Sequence, residues 1–344
     1  MRAAVLEDWQ KIMVSEIEDP VLQDGEALLR VKCAAVCGSD VHIFNGNNPI
    51  AITPVIPGHE FMGEVVKFAG KPNTRCLIGN RVVVQPLISC GNCIACLKGQ
   101  PHVCESLIVI GVNQNGGFAE YVSVPADTLF EVPAGMPDEV AVLCEPFSIG
   151  YHACSRGNLQ TGERTLIIGA GPIGLYAAIV ARELGASEVV FSEPSAKRRA
   201  VAGNYGFSAF DSRDGGLLEA LKDHSKGEGY NLIIETSGVE AGINCAIEAA
   251  AVRGSIVSLG FPADNYLPYN VTRGIIKELT FIGSRVCPRD EFRSTLALLD
   301  KLYKRGEVDF DHIVSVPRPL SRVAESISNV ESGEEQNKIL IAPV

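Results

Sequence analysis

Apolar positions along this chain come in two textures. In the first half they form short β-type runs such as EALLRVKCAAV, RVVVQP and AEYVSVP, cut apart by Gly, Pro and Asn. Runs of that length between breakers predict a mostly β domain. From Thr165 onward the texture changes. TLII, SEVVFSEP, YNLIIETSG, GSIVSLGF and LTFIGS give five buried-strand candidates, some followed by helical patterns. Near-continuous apolar strands alternating with helices predict a parallel, doubly wound sheet. Over residues 290–306, Phe292, Leu296, Leu299 and Leu302 recur at helical spacing, with Asp290 placed to cap the helix and Gly306 to stop it.

Composition sharpens this outline. A chain of 344 residues, 46% hydrophobic and 21% charged, exceeds what one core usually supports, so two domains are expected. The net charge of −11 argues against nucleic acid and against anionic membrane surfaces as partners, since both select clustered Lys and Arg. The start, MRAAVLEDWQ, carries acidic residues and no secretory apolar run, and no stretch approaches the ~18 apolar residues of a membrane span. Eleven cysteines, an odd count scattered through apolar sequence, suit a reducing compartment. A cytoplasmic protein is expected.

Four of those cysteines carry chemistry. Cys90, Cys93, Cys96 and Cys104, in CGNCIACLKGQPHVC, stand at two CxxC steps and a longer gap, a spacing that lets one loop wrap a tetrahedral zinc. A redox CxxC sits between a strand and a helix, whereas Gly91, Gly99 and Pro101 mark an excursion. With all four positions filled by protein, such a zinc is structural.

A second motif follows the strand TLII directly. Gly169, Gly171 and Gly174, with Pro172 and Ile173 between them, form GAGPIG at the start of a helical pattern. Glycines there let the backbone approach a pyrophosphate, whose charge meets helix N-terminal amides. Glu193, at the end of the next strand, stands where a carboxylate accepts hydrogen bonds from an adenosine ribose diol. NAD is therefore favoured, although Lys197, Arg198 and Arg199 follow closely and soften discrimination against a 2′-phosphate. Elsewhere, Cys37 in CGSDVH and the pair His59 and Glu60 in PGHE supply soft, borderline and hard ligand types that zinc accepts together.

Taken in order, CGSDVH, GHEFMGEVV, the four-thiol lobe, GGFAEYVSVP, EPFSIGYHA and GAGPIG resemble the zinc-dependent medium-chain alcohol dehydrogenase family over nearly the whole chain. The likeness looks greatest to the polyol branch, comprising sorbitol-type, butanediol, galactitol phosphate and sugar-acid dehydrogenases, with threonine dehydrogenase nearby. The resemblance implies an α/β two-domain fold: a GroES-like β-rich catalytic domain over residues 1–149 and 289–344, with a structural zinc lobe at about 88–105, and a Rossmann NAD-binding domain over 150–288. It implies two zinc ions per chain. Cys37, His59 and Glu60 resemble catalytic zinc ligands, and Glu145 resembles the acid that binds this zinc directly or through its water. Cys144, one residue off that register, belongs to the core. Ser39 resembles the hydroxyl that takes the substrate proton and His42 the outer member of that relay. Ile173 and Arg198 resemble residues flanking the adenosine and pyrophosphate. Leu259, Gly260 and Phe261, and then Ser284, Arg285 and Val286, resemble strand ends beside the nicotinamide. Lys338 resembles a basic contact to a phosphate.

The implied reaction is reversible oxidation of a secondary hydroxyl of an open-chain polyol or sugar acid to a ketone by hydride transfer to NAD+, in a homodimer or homotetramer. Asn45, Asn47 and Asn48 either offer hydrogen bonds to a polyhydroxylated substrate or form a turn around Gly46 and Pro49. Arg285 is suited to a substrate carboxylate or phosphate, or to the coenzyme. A small-diol or threonine dehydrogenase shares these features. A non-catalytic NAD-binding relative would be free to lose Cys37, Ser39, His59 and Glu145, all of which are present.

Overall fold

The computed structural model describes residues 1–262, 266–333, 335 and 337–343. The chain divides into two units, Met1–Glu145 with Pro288–Val344, and Pro146–Cys287. The two-domain α/β architecture expected from the apolar pattern is present in them.

The first unit is built on a seven-stranded sheet. Its long strand Glu26–Ala35 alternates half-buried and buried positions, then ends in a fully buried stretch. That strand pairs antiparallel with Glu60–Phe68, placing Ala35 opposite Glu60, and with Leu340–Ala342, placing Ala35 opposite Leu340. Leu29, Val31, Phe61, Val65, Val82, Val84, Ile339 and Ile341 share one apolar cluster beneath these strands. Strand register thus brings three distant stretches to one point, just before Cys37, at Glu60 and just after Lys338. A short pair, Leu87–Ile88 with Ile108–Val109, forms the base from which the cysteine lobe projects.

The helix Arg289–Arg305 buries Phe292, Leu296, Leu299 and Leu302, as their spacing predicts. Its N-cap is Pro288 rather than Asp290, because proline's fixed φ leads into the first turn and Asp290 then lies within that turn, where its charge faces the helix dipole. Gly306 ends it at φ 65°, a left-handed conformation that glycine adopts without steric cost.

In the second unit six parallel strands run in the order Ser208–Phe210, Glu188–Ser192, Arg164–Ile168, Tyr230–Glu235, Ala250–Ser258 and Thr280–Gly283. Five carry the predicted apolar runs. The sixth, Ser208–Phe210, is three residues long and largely unburied, so no apolar run announces it. Numbered along the chain the order is 3-2-1-4-5-6, the doubly wound arrangement that reverses direction between Arg164–Ile168 and Tyr230–Glu235. Among the described residues no helix is long and apolar enough to cross a membrane.

Candidate active site

Cys37 caps the helix Gly38–Phe44, two residues past the strand end at Ala35. Ligand atoms of Cys37, His59 and Glu60 all lie within 4.8 Å of one another. His59 and Glu60 are buried. Asp40, which the sequence reading did not single out, ties two of the ligands together: one carboxylate oxygen accepts from the Cys37 amide at 2.8 Å, and the other lies 3.5 Å from His59 Nδ1. An acid behind a ligating imidazole fixes its ring orientation and raises its basicity. The signal was available, since Asp40 is the N3 residue of a helix capped by a candidate ligand.

Electrostatics mark the spot as one that wants a cation. Burial opposes charge on His59, but Asp40 and the Cys37 thiol outweigh it and hold the imidazole well above its usual range. Glu145 is pushed up to about 7, by burial first and by Glu60 and Asp40 next, against the pull of His59 and Lys338. Among the described residues, Glu60 Oε2 and His59 Nδ1 are buried without a hydrogen-bond partner, the latter facing Asp40. A soft, a borderline and a hard donor on one point, with Glu60 Oε2 unsatisfied, fit zinc. Glu145 opens the helix Cys144–Arg156 and is not among the three residues whose ligand atoms converge.

Ser39 Oγ lies 3.4 Å from His59 Nε2, the ring nitrogen opposite Asp40. His42, one turn along the same helix, is exposed. Lys338 has a partner that the sequence does not show. Its ammonium is buried 2.5 Å from Glu60 Oε1. The sheet register explains this, because Lys338 precedes Leu340 and Leu340 flanks Ala35, itself opposite Glu60. The asparagines also turn inward: Asn45 Nδ2 donates to Glu331 at 2.8 Å, and Asn48 Oδ1 accepts from the Ile50 amide at 3.1 Å. Asn48 thus serves the turn and Asn45 is tied to a distant helix, while Asn47 is exposed and has no side-chain hydrogen bond among the described residues.

In the lobe, Sγ atoms of Cys90 and Cys96 are 4.0 Å apart, those of Cys93 and Cys96 3.5 Å, and those of Cys93 and Cys104 3.8 Å. A tetrahedron with Zn–S bonds of ~2.3 Å has edges of about 3.8 Å, whereas a disulfide needs about 2 Å. Amides of Cys93 and Cys90 donate to Cys90 and Cys104 sulfurs, both at 3.3 Å. Amides of Asn92 and Cys93 bring the Cys90 thiol down to about 6, while Cys96, desolvated and beside Cys93, is driven up to about 11. Four crowded sulfurs cannot all ionise unless a cation joins them.

The second unit carries the glycine loop. Gly169 sits at φ 96°, and a Cβ there would meet Thr236 Oγ1 at 2.6 Å, while one on Gly174 would lie 2.0 Å from the Gly169 carbonyl oxygen. Those two glycines serve packing. Around Gly171, the N-cap of the helix Pro172–Glu183, a Cβ would meet nothing within 4 Å, which leaves the amide end open to a ligand. Glu193 is buried, its carboxylate accepting from Ala170 N at 2.7 Å and Ser195 N at 2.8 Å. Arg199 is committed to the Glu193 and Pro194 carbonyls and to Asp211, whereas Arg198 is half-buried and Lys197 exposed. Leu259 and Gly260 donate their amides to the Glu235 carbonyl oxygen, and Phe261 is exposed. Ser284 N donates to Ser258 O at 3.1 Å, Arg285 is exposed, and Val286 adopts φ 48°, a left-handed conformation costly for a β-branched residue.

Known proteins resemble this chain in sequence and fold. The Alcohol dehydrogenase GroES-like domain family matches residues 23–134, and the Zinc-binding dehydrogenase family matches residues 172–301. L-galactonate-5-dehydrogenase of Escherichia coli is 32% identical over 327 residues, 95% of this chain and 94% of that protein. L-threonine 3-dehydrogenase of Photobacterium profundum is 34% identical over 282 residues, 81% of each. Among solved structures, a zinc-binding dehydrogenase of Sinorhizobium meliloti bound to NADP superposes with a TM-score of 0.90 at 30% identity, covering 99% of both chains.

Proposed function

Because this chain belongs to the zinc-dependent medium-chain alcohol dehydrogenase family, in its polyol and sugar-acid branch, we propose that it oxidises a secondary hydroxyl of an open-chain polyol or sugar acid to a ketone, with NAD+ as acceptor. It is an oxidoreductase acting on CH–OH groups with zinc and a nicotinamide coenzyme. The observation carrying the reading is the convergence of Cys37, His59 and Glu60, with Glu60 Oε2 buried and unpartnered.

Two zinc ions per chain are proposed, one held by Cys90, Cys93, Cys96 and Cys104, the other by Cys37 and His59 with Glu60 or Glu145. When bound at Cys37 and His59, zinc supplies Lewis acidity toward the substrate oxygen, and the nicotinamide supplies the hydride acceptor. The chain does the rest. Ser39 Oγ takes the hydroxyl proton, and His42, exposed one turn further along the helix, passes it to solvent. Asp40 holds the His59 ring, and Lys338 balances the charge of Glu60. On the coenzyme side, the amides after Gly171 meet the pyrophosphate, Arg198 stands beside it, and Glu193 receives the adenosine ribose. Backbone at Leu259, Gly260 and Phe261 and at Ser284, Arg285 and Val286 faces the nicotinamide, and the exposed Arg285 guanidinium is suited to a substrate carboxylate.

A panel of sugar acids, neutral polyols, butanediol, threonine and primary aliphatic alcohols, run with NAD+ and NADP+, tests this. Sugar acids or polyols with NAD+ are expected to give the highest kcat/KM; preference for primary aliphatic alcohols would overturn the reading. A small-diol or threonine dehydrogenase is the second reading. It is favoured by the turn around Gly46, which consumes Asn45 and Asn48 and leaves fewer donors for a long polyol.

A second copy of this chain is the proposed partner. Strand Thr280–Gly283 is the outer strand of its sheet, and Val252, Tyr269, Ile275, Ile276 and Phe281 lie exposed at or near that edge. An open edge with exposed apolar side chains is a template for strand addition across a two-fold axis. Phe281→Lys is expected to shift the solution mass by light scattering toward the monomer; an unchanged mass would place the interface elsewhere.

A further inference from the structure

Glu235 ends the strand Tyr230–Glu235 and is completely buried. Nothing in the reaction above uses it. A buried carboxylate persists only where its oxygens are hydrogen-bonded, and these are. One oxygen accepts from Ser237 N at 2.7 Å, from Gly238 N at 3.0 Å and from the Ser237 hydroxyl, and the other from Gly238 N at 3.2 Å. The main-chain oxygen of the same residue accepts from Leu259 N at 2.8 Å and Gly260 N at 3.2 Å. One residue therefore fixes two loops.

Those loops touch backbone to backbone. Gly238 lies at φ 65°, and a Cβ on it would meet the Phe261 carbonyl oxygen at 2.7 Å, while one on Gly260 would lie 2.2 Å from Gly238 N. On the other flank, Thr236 donates from its amide and hydroxyl to the Ile168 carbonyl oxygen at 3.0 and 2.8 Å, immediately before Gly169. The turn 235–238 is thus a bracket between the glycine loop and residues 259–261.

Its place in the sheet gives the bracket a purpose. Strand order reverses between Arg164–Ile168 and Tyr230–Glu235, and dinucleotides lie across the carboxyl ends of strands at such a reversal. Gly169 and Glu193 take the adenine side of the reversal, so the other half of the dinucleotide falls to 235–238 and 259–261. We propose that Glu235 is a positioning residue for the nicotinamide half of the coenzyme. Its carboxylate pins the Ser237 and Gly238 amides, and through Gly238 the backbone at 259–261, in the arrangement that receives that half.

The proposal rests on the nicotinamide-coenzyme reading and is tested separately from it. Zinc-loaded wild type, Glu235→Met and Glu235→Gln are titrated with NADH and with AMP, which probes the adenine side alone. Glu235→Met keeps side-chain length and removes both acceptors. It is expected to weaken NADH by at least about tenfold, the effect of losing hydrogen bonds to a charged group, with AMP affinity unchanged. Glu235→Gln keeps one acceptor and is expected to fall between the two. Unchanged NADH affinity in both variants, or equal loss of NADH and AMP in the variants that fold, would overturn the proposal. If Glu235→Met does not fold, the NADH-to-AMP ratio of Glu235→Gln decides. Failure of wild type to bind NADH would instead strike the coenzyme reading.

Discussion

Cys37→Ala is expected to lower kcat by at least about a thousandfold, the rate equivalent of the several kcal/mol a Lewis acid contributes at a reacting oxygen. Glu60 already spends one oxygen on Lys338, so the site leans on Cys37 and His59 as its other two converging donors. Losing the thiolate leaves too few ligands to hold zinc against water. Coenzyme binding should persist, because the glycine loop and Glu193 belong to the other unit. Metal analysis should show one zinc fewer per chain. Full turnover in the alanine variant would end the assignment of this centre.

Cys93→Ser should act on stability rather than on chemistry. Structural Zn2+ binding in small sulfur-ligated folds contributes on the order of 10–16 kcal/mol of apparent free energy, which is folding free energy for the segment that binds. The lobe has little else to hold it. Ile94, Leu97 and Val103 face solvent, and among its own residues only Cys93, Cys96 and Cys104 join the apolar cluster formed with Leu6, Ile43 and Val109. The variant is expected to lose the lobe zinc, to be nicked by protease within 88–105, and to unfold at a lower temperature. Mild chelation of wild type should reproduce that nicking. An unchanged Tm with full zinc content would show that the four sulfurs are not a metal site.

What the sequence disclosed follows from how local each feature is. The lobe spacing and GAGPIG are local, and each names its chemistry by residue type and offset. The doubly wound sheet was legible because parallel strands buried on both faces read as apolar runs, while Ser208–Phe210, short and largely unburied, left no such trace. The pairing of Lys338 with Glu60 was not legible because it is set by register across three strands, a relation that no window along the chain contains. Asp40 and Glu235 escaped notice for a related reason. Each acts on backbone amides close in sequence, yet its importance comes from what those amides adjoin in space. Asn45 was illegible in the same way, since its donor meets Glu331 on the distant helix Val323–Ser332.

The pairing of Lys338 with Glu60 spans 278 residues. During synthesis, Cys37, His59 and Glu60 leave the ribosome long before the strand Leu340–Ala342 that completes their side of the sheet. Until that strand pairs, Glu60 lacks the ammonium that answers it, so a folding chain presents Cys37, His59 and Glu60 with a different charge balance from the folded one.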